Sequence, residues 1–339
     1  MSIDSALAAQ RRKGLRVALA VSLGFTASVA SGALVPFLGP LFAAQFLLSS
    51  TAPMPFAKTL GMAILIFVVG TVMSILTSWF GEHPASFLLL LGLFYFSCFV
   101  AQSSGKGGAA ISLVLIVGVI VPLLGILNKE LAASILSILL LGVISGAVLM
   151  WLAHAVFPEP AIVDEPEQQA VICPPDYGRA LANTGILLAI MAICLTSDNL
   201  TSAAVIPITV ITLLTQLDAA ATGRAAFGLA IVNLFGGIIA SVAYEALNLR
   251  PNLLSLFLIT LVVCLFIGGR AAARSPDARV YAGALTIFLI LFGLGVSPLP
   301  GSAAESFSTR ILYVGAAILY TLLATALLWR PRVAKVEVA

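Results

Sequence analysis

Apolar runs, each about as long as a helix needs to cross a bilayer, follow one another along almost the whole of this chain. Spanning ~30 Å of hydrocarbon takes roughly 20 residues of helix. Runs broken by Gly, Pro and charge lie near 15–33, 34–50, 57–80, 84–101, 109–127 and 131–156, and again near 180–196, 199–217, 224–247, 251–269, 280–296 and 309–329. They predict an all-α integral membrane protein of about twelve transmembrane helices. Composition agrees. Soluble chains are roughly 45–50% apolar and about 25% charged, whereas this one is 61% hydrophobic and 9% charged, with a mean hydropathy of +1.14. So few charges cannot cover a soluble globule, and a net charge of +3 is too small for a nucleic-acid binder.

Other function classes fall away on spacing. Cys98, Cys173, Cys194 and Cys264 form no C-x-x-C pair and read as small packing residues. His83 and His154 have no Cys or acidic neighbours at metal-ligand spacing, so no metal and no cofactor is expected. Ser104-Gly105-Lys106-Gly107-Gly108 lacks the order of a phosphate-binding loop and reads as a connection. A membrane-embedded enzyme needs paired acids or a His/acid set; Glu82 beside His83 is the one adjacent candidate, and no enzymatic role is expected.

Twelve spans put both termini on one side. With the N-terminus cytoplasmic, only Lys129, Arg250 and Arg310 of the 17 lysines and arginines face outward, the bias that the positive-inside rule demands. Arg11, Arg12 and Arg16 followed by an apolar run and Ala27-Ser28-Val29-Ala30 mimic a secretory signal. Direct continuation into the next apolar segment favours a first span instead. Residues 157–178 hold Glu159, Asp164, Glu165, Glu167 and Asp176 among Pro158, Pro160, Pro166, Pro174 and Pro175, an extended, solvated linker. The expected organisation is a membrane repeat over 1–156, this linker, and a second membrane repeat over 179–339.

The repeat itself is visible in the glycines and prolines. A shift of 167 residues superposes Pro40 on Pro207, Gly61 on Gly228, Gly70 on Gly237 and Pro84 on Pro251; in the last helix of each half a shift of 173 pairs Gly142 with Gly315 and Pro158 with Pro331. Gly and Pro fix backbone shape and close helix approach. Six spans per half is an even number, so both halves insert the same way up, as in transporters built from parallel repeats. Pro36 and Pro40 in the second run and Pro207 in the eighth predict a broken second helix in each half, at the interface where a substrate path belongs.

Three segments carry a family resemblance. Lys58-Thr59-Leu60-Gly61 and Arg224-Ala225-Ala226-Phe227-Gly228, a basic residue and then glycine ahead of the third helix of each half, resemble fusaric acid resistance (FUSC)-like proteins, and so does Ala304-Glu305-Ser306-Phe307-Ser308-Thr309-Arg310-Ile311-Leu312 ahead of a Gly-containing last helix. That family includes aromatic acid exporters. The resemblance implies a bacterial inner-membrane exporter of small, often aromatic, organic acids or related amphipathic compounds, working with a periplasmic adaptor and an outer-membrane channel. Many such exporters carry large cytosolic domains after each membrane half; the short linker here resembles a compact branch. A homo-oligomer is compatible with the same plan.

Ionisable groups within a membrane are functional suspects. Asp198 interrupts the apolar stretch before Pro207 and reads either as a proton-coupling or vestibule carboxylate or as a helix N-cap. Arg310, five residues after Glu305, reads either as an anion-attracting guanidinium steadied by Glu305 or as an interfacial arginine. Gln45, Asn183, Asn233, Thr209, Thr212 and Thr215 are polar residues within spans. The three threonines form one stripe, which either lines a hydrated path or bonds to its own helix backbone. Pro40 and Pro207 complete the candidate path. Phe94, Tyr95, Phe96 and Phe99 read as packing or as a surface for a substrate ring, and Trp79, Trp151 and Trp329 as interfacial anchors.

Overall fold

The computed structural model describes residues 3–50, 52–105, 108–127, 129–158, 174–196, 205–218, 223–273, 278–297 and 307–329. Among the described residues every regular element is helical. In chain order these are α1 (Ile3–Ala30), α2 (Leu38–Ser49), α3 (Phe56–Phe80), α4 (Pro84–Ser103), α5 (Gly108–Leu127), α6 (Lys129–Val156), α7 (Tyr177–Leu195), α8 (Val205–Asp218), α9 (Gly223–Leu249), α10 (Leu253–Ala271), α11 (Ala278–Val296) and α12 (Phe307–Leu328). Each apolar run of the sequence contributes one helix. Six of them, in α1, α3, α4, α6, α7 and α10, are long and apolar enough to cross a membrane; the other six have shorter apolar stretches.

The predicted break in the second helix takes a definite form. The turn after α1 carries Gly32 at φ +71°, and the N–H groups of Ser31, Gly32 and Ala33 bond back to the carbonyls of Ala27, Val29 and Ser28. The left-handed φ at Gly32 is what allows this closure. Helix resumes only at Leu38, so the second run is not kinked midway as a helix over 34–50 would be. It is a helix of 12 residues, rising about 18 Å at 1.5 Å per residue. Pro40 is its third residue, and Pro207 is the third residue of α8 as described. A proline in the first turn interrupts no hydrogen bond, because those N–H groups have no intrahelical partner anyway.

Burial sorts the helices into two layers. Residues 113–123 of α5, 207–214 of α8 and 283–293 of α11 are buried on every side wherever described, as is α2 from Leu38 to Ala44. A helix apolar all round belongs in the middle of a large or membrane protein. Around this centre stand helices with one buried stripe and one exposed apolar face: Leu60, Ile64, Phe67, Val68, Val72 and Ile75 on α3, Leu258, Val262 and Phe266 on α10, Leu312, Leu319 and Leu323 on α12. Such faces are untenable in water and ordinary against lipid. The protein is a membrane-embedded helical bundle.

Packing is close where small residues permit it. A Cβ placed on Gly146 of α6 would lie 2.7 Å from the Cβ of Phe42 and 3.0 Å from both Ala43 N and Gly39 O on α2; one on Gly14 of α1 would lie 2.9 Å from the Cα of Gly269 on α10. Beside that second contact, residues Cys264–Gly268 of α10 form a π-helical turn. The helix ends are tied by long side chains. Lys13 Nζ donates to Leu48 O at 2.9 Å, Trp151 Nε1 to Met54 O at 3.0 Å, and Trp329 Nε1 to Asn183 Oδ1 at 2.9 Å. Each bond joins the start of one helix to the finish of another, so the chain runs up and down through the bundle.

Candidate functional site

The central layer holds few polar groups, and one pair of them crosses between elements far apart in sequence. Gln45 on α2 donates through Nε2 to Thr286 Oγ1 on α11 at 3.0 Å, and the Thr286 hydroxyl in turn donates to Ala282 O at 3.0 Å. Thr286 is buried. Aromatic rings flank this short relay: Phe42 and Phe46 stack at 6.3 Å on α2, and Phe288 and Phe292 stack at 5.4 Å on α11. In so apolar a setting each bond is strengthened by the low dielectric, and each unmet partner is costly.

A second polar line runs along α8. Thr209 and Thr212 are buried, with Thr212 Oγ1 donating to Ile208 O at 2.7 Å and Thr215 Oγ1 to Thr212 O at 2.8 Å. Thr212 and Thr215 thus bond to their own helix, the second of the two readings open to the stripe. Across from them, Gln102 on α4 donates through Nε2 to Thr215 O at 3.3 Å, and its buried Oε1 accepts no hydrogen bond from the described residues. Pro40 and Pro207 are both buried at the start of the two short helices.

Of the remaining candidates, Asp198 and Glu305 lie outside the described residues. Arg310 falls in the first turn of α12 and Asn233 in α9, with their side chains outside the described set. The structure therefore joins Gln45 to Thr286 and leaves Thr209 and Thr212 on a separate line. Thr286 was missed from sequence, although it is the one polar side chain in the run from Ala282 to Val296. So was Arg16. In the sequence it counted only among the cytoplasmic basic residues at the beginning of the first run, yet it is 1% exposed, and its Nε donates to Phe157 O at 2.7 Å across α1 and the finish of α6.

An open cleft of about 340 Å³ lies between the C-terminal ends of α3 and α5. Ser74, Thr77, Ser78, Gly81 and Glu82 form one wall, and Val121, Gly125 and Ile126 the other. Thr77, Ser78 and Glu82 recur three, four and eight positions after Ser74, the spacing of one helix face carried just past the end of α3. That spacing was the overlooked sequence signal. Among the described residues no three His, Cys, Asp or Glu side chains gather as metal ligands, and Cys98 and Cys264 are free thiols.

Residues 13–153 match the model of a family described as "Protein of unknown function (DUF2955)", a match that runs from within α1 to within α6. No curated protein and no solved structure matches the chain.

Proposed function

We propose that this protein is a transporter built from two parallel six-helix repeats, 1–156 and 179–339, joined by the 157–178 linker, and that it exports small organic acids or related amphipathic compounds. The observation that carries this reading is the pairing of helices. When α1–α6 are exchanged with α7–α12 in order, the principal contacts map onto one another. Within the halves, α1 on α2 answers to α7 on α8, α2 on α6 to α8 on α12, α3 on α5 to α9 on α11, and α4 on α5 to α10 on α11. Between the halves, α1 on α10 answers to α7 on α4, and α2 on α11 to α8 on α5. Some contacts, α5 on α6 foremost, lack an equally close counterpart. The family match, which ends inside α6, accords with a repeat boundary near residue 156.

Two-fold exchange places α2, α5, α8 and α11 around the axis. The Gln45–Thr286 bond spans that seam, a polar contact where two bundles can part and rejoin, as alternating access requires. Resemblance of the Lys58–Gly61, Arg224–Gly228 and Ala304–Leu312 segments to FUSC-like exporters supplies the substrate class, the bacterial inner membrane, and a periplasmic adaptor with an outer-membrane channel as partners; the even span count and the inward bias of the basic residues supply cytoplasmic termini. No catalytic step belongs to this reading.

The test is uptake of a radiolabelled aromatic acid by everted membrane vesicles containing the protein, with and without a protonophore. Accumulation that needs the protein and collapses with the proton gradient is expected. Equal accumulation with and without the protein contradicts transport. A passive anion pathway on the same scaffold is the second reading, favoured by one observation: among the described residues no Asp or Glu is buried to act as a proton relay. Protein-dependent currents that follow the anion's own gradient, unaffected by protonophore, select it.

A further inference from the structure

The cleft between α3 and α5 has a chemistry that differs from that of an organic-acid path. Its volume, about 340 Å³, lies within the range of small-molecule sites. One wall offers the oxygens of Ser74, Thr77, Ser78 and Glu82, the other the apolar surface of Val121, Gly125 and Ile126. Thr77 spends its only proton on Met73 O at 2.7 Å, so toward the cleft it presents lone pairs. An ionised Glu82 accepts only. It takes part in a further interaction of its own, and a carboxylate has about four lone-pair sites, room for a second donor. The wall therefore favours a ligand that donates hydrogen bonds and carries positive charge, and a carboxylate at the rim repels an anion.

Position points the same way. Trp79, in the last turn of α3, is 73% exposed, as suits an indole at the lipid–water interface. A cleft at that depth meets molecules that concentrate in the headgroup layer, apolar at one end and cationic at the other.

We propose that the cleft between the C-terminal ends of α3 and α5 binds an amphipathic organic amine, its ammonium held by Glu82 and the hydroxyls of Ser74, Thr77 and Ser78 and its apolar body lying on Val121, Gly125 and Ile126. The proposal needs no flux and stands apart from the transport reading.

Equilibrium dialysis of the full chain in lipid nanodiscs tests it, with tryptamine as probe, empty nanodiscs as baseline, and the isosteres indole-3-propionate (anionic) and tryptophol (neutral) as controls. Saturable tryptamine binding is expected, at least ten-fold tighter than either control. Glu82→Gln should weaken it about ten-fold or more, and Gly125→Phe should abolish it. Ser78 is exposed, so Ser78→Trp closes the mouth without repacking the core and serves if Gly125→Phe does not fold. No saturable component above empty nanodiscs, equal binding of the anion, or wild-type affinity in both Glu82→Gln and Ser78→Trp overturns the proposal.

Discussion

The hydroxyl of Tyr95 on α4 donates to the carbonyl of Gly118 on α5 at 2.9 Å, both groups being buried. Gly118 O is the acceptor that the residue four positions on should satisfy within the helix. That residue is Pro122, which has no N–H to give. Tyr95 thus repairs from a neighbouring helix the gap that proline leaves, as the absence of water in a membrane core demands.

Removing the repair should cost what an orphaned buried carbonyl costs, about 1–3 kcal/mol. Tyr95→Phe keeps the ring and loses the donor, so its thermal unfolding midpoint in detergent should fall. Pro122→Ala returns the missing N–H, and in the Tyr95→Phe background it should recover much of the loss. A double-mutant cycle reads this coupling. Two additive effects would mean the tyrosine and the proline are unconnected.

The Gln45–Thr286 bond separates stability from function. Thr286→Val strands the Gln45 amide and should destabilise the chain by about 1–3 kcal/mol. Gln45→Leu combined with Thr286→Val removes both partners and should be near neutral in thermal unfolding. If the pair belongs to the moving seam, vesicle flux in the double variant should still fall at least ten-fold. Unchanged flux in a stable double variant would make the pair a structural bond alone.

Close helix approach gives a contrast between glycines. Gly146→Ala drives a methyl against Phe42 and the α2 backbone and should cost about 1–3 kcal/mol by overpacking. Gly61 and Gly315 have nothing within 4 Å of an added Cβ, so Gly61→Ala and Gly315→Ala should be neutral or stabilise by up to about 1 kcal/mol. Thermal midpoints of the three variants check the order.

At the finish of α12 the Arg179 guanidinium lies 3.7 Å from the centre of the Trp329 ring, whose Nε1 is held by Asn183. In a chain with Trp79 and Trp151 replaced by Phe, Trp329 emission should respond to Arg179→Ala and hardly to Arg12→Ala. Equal responses would mean the stacking does not persist in lipid. Asn183 and Arg16 lie 167 residues apart, and each bonds the finish of another helix, Arg16 through Phe157 O after α6 and Asn183 through Trp329 after α12.

The helices were legible because hydropathy and length are sufficient signals in lipid: each apolar run became a helix. The second run was foreseen as interrupted, on Pro36 and Pro40, but not as a short helix beginning at Leu38. A proline at the third position starts a helix as readily as it breaks one, and Gly32 was the residue that set the true boundary. Pro122 passed unnoticed for the converse reason, since its cost is met by Tyr95 across a helix interface that no local pattern encodes. Thr286 needed knowledge of which helix faces α2. The cleft residues Ser74 to Glu82 were readable from their spacing alone, yet hydroxyls at helical spacing also occur where they bond only to their own backbone, as Thr212 and Thr215 do.

Solvent access to the seam during transport tests the central claim most directly. In a chain with Cys98, Cys173, Cys194 and Cys264 replaced by Ser or Ala and Thr212 replaced by Cys, a small membrane-impermeant thiol reagent is applied to everted vesicles while an aromatic acid is being transported. Two bundles that part around α2, α5, α8 and α11 predict labelling that depends on substrate and gradient and that blocks flux. A thiol at position 212 unreactive from both faces of the membrane during full flux would contradict a conduit at that seam.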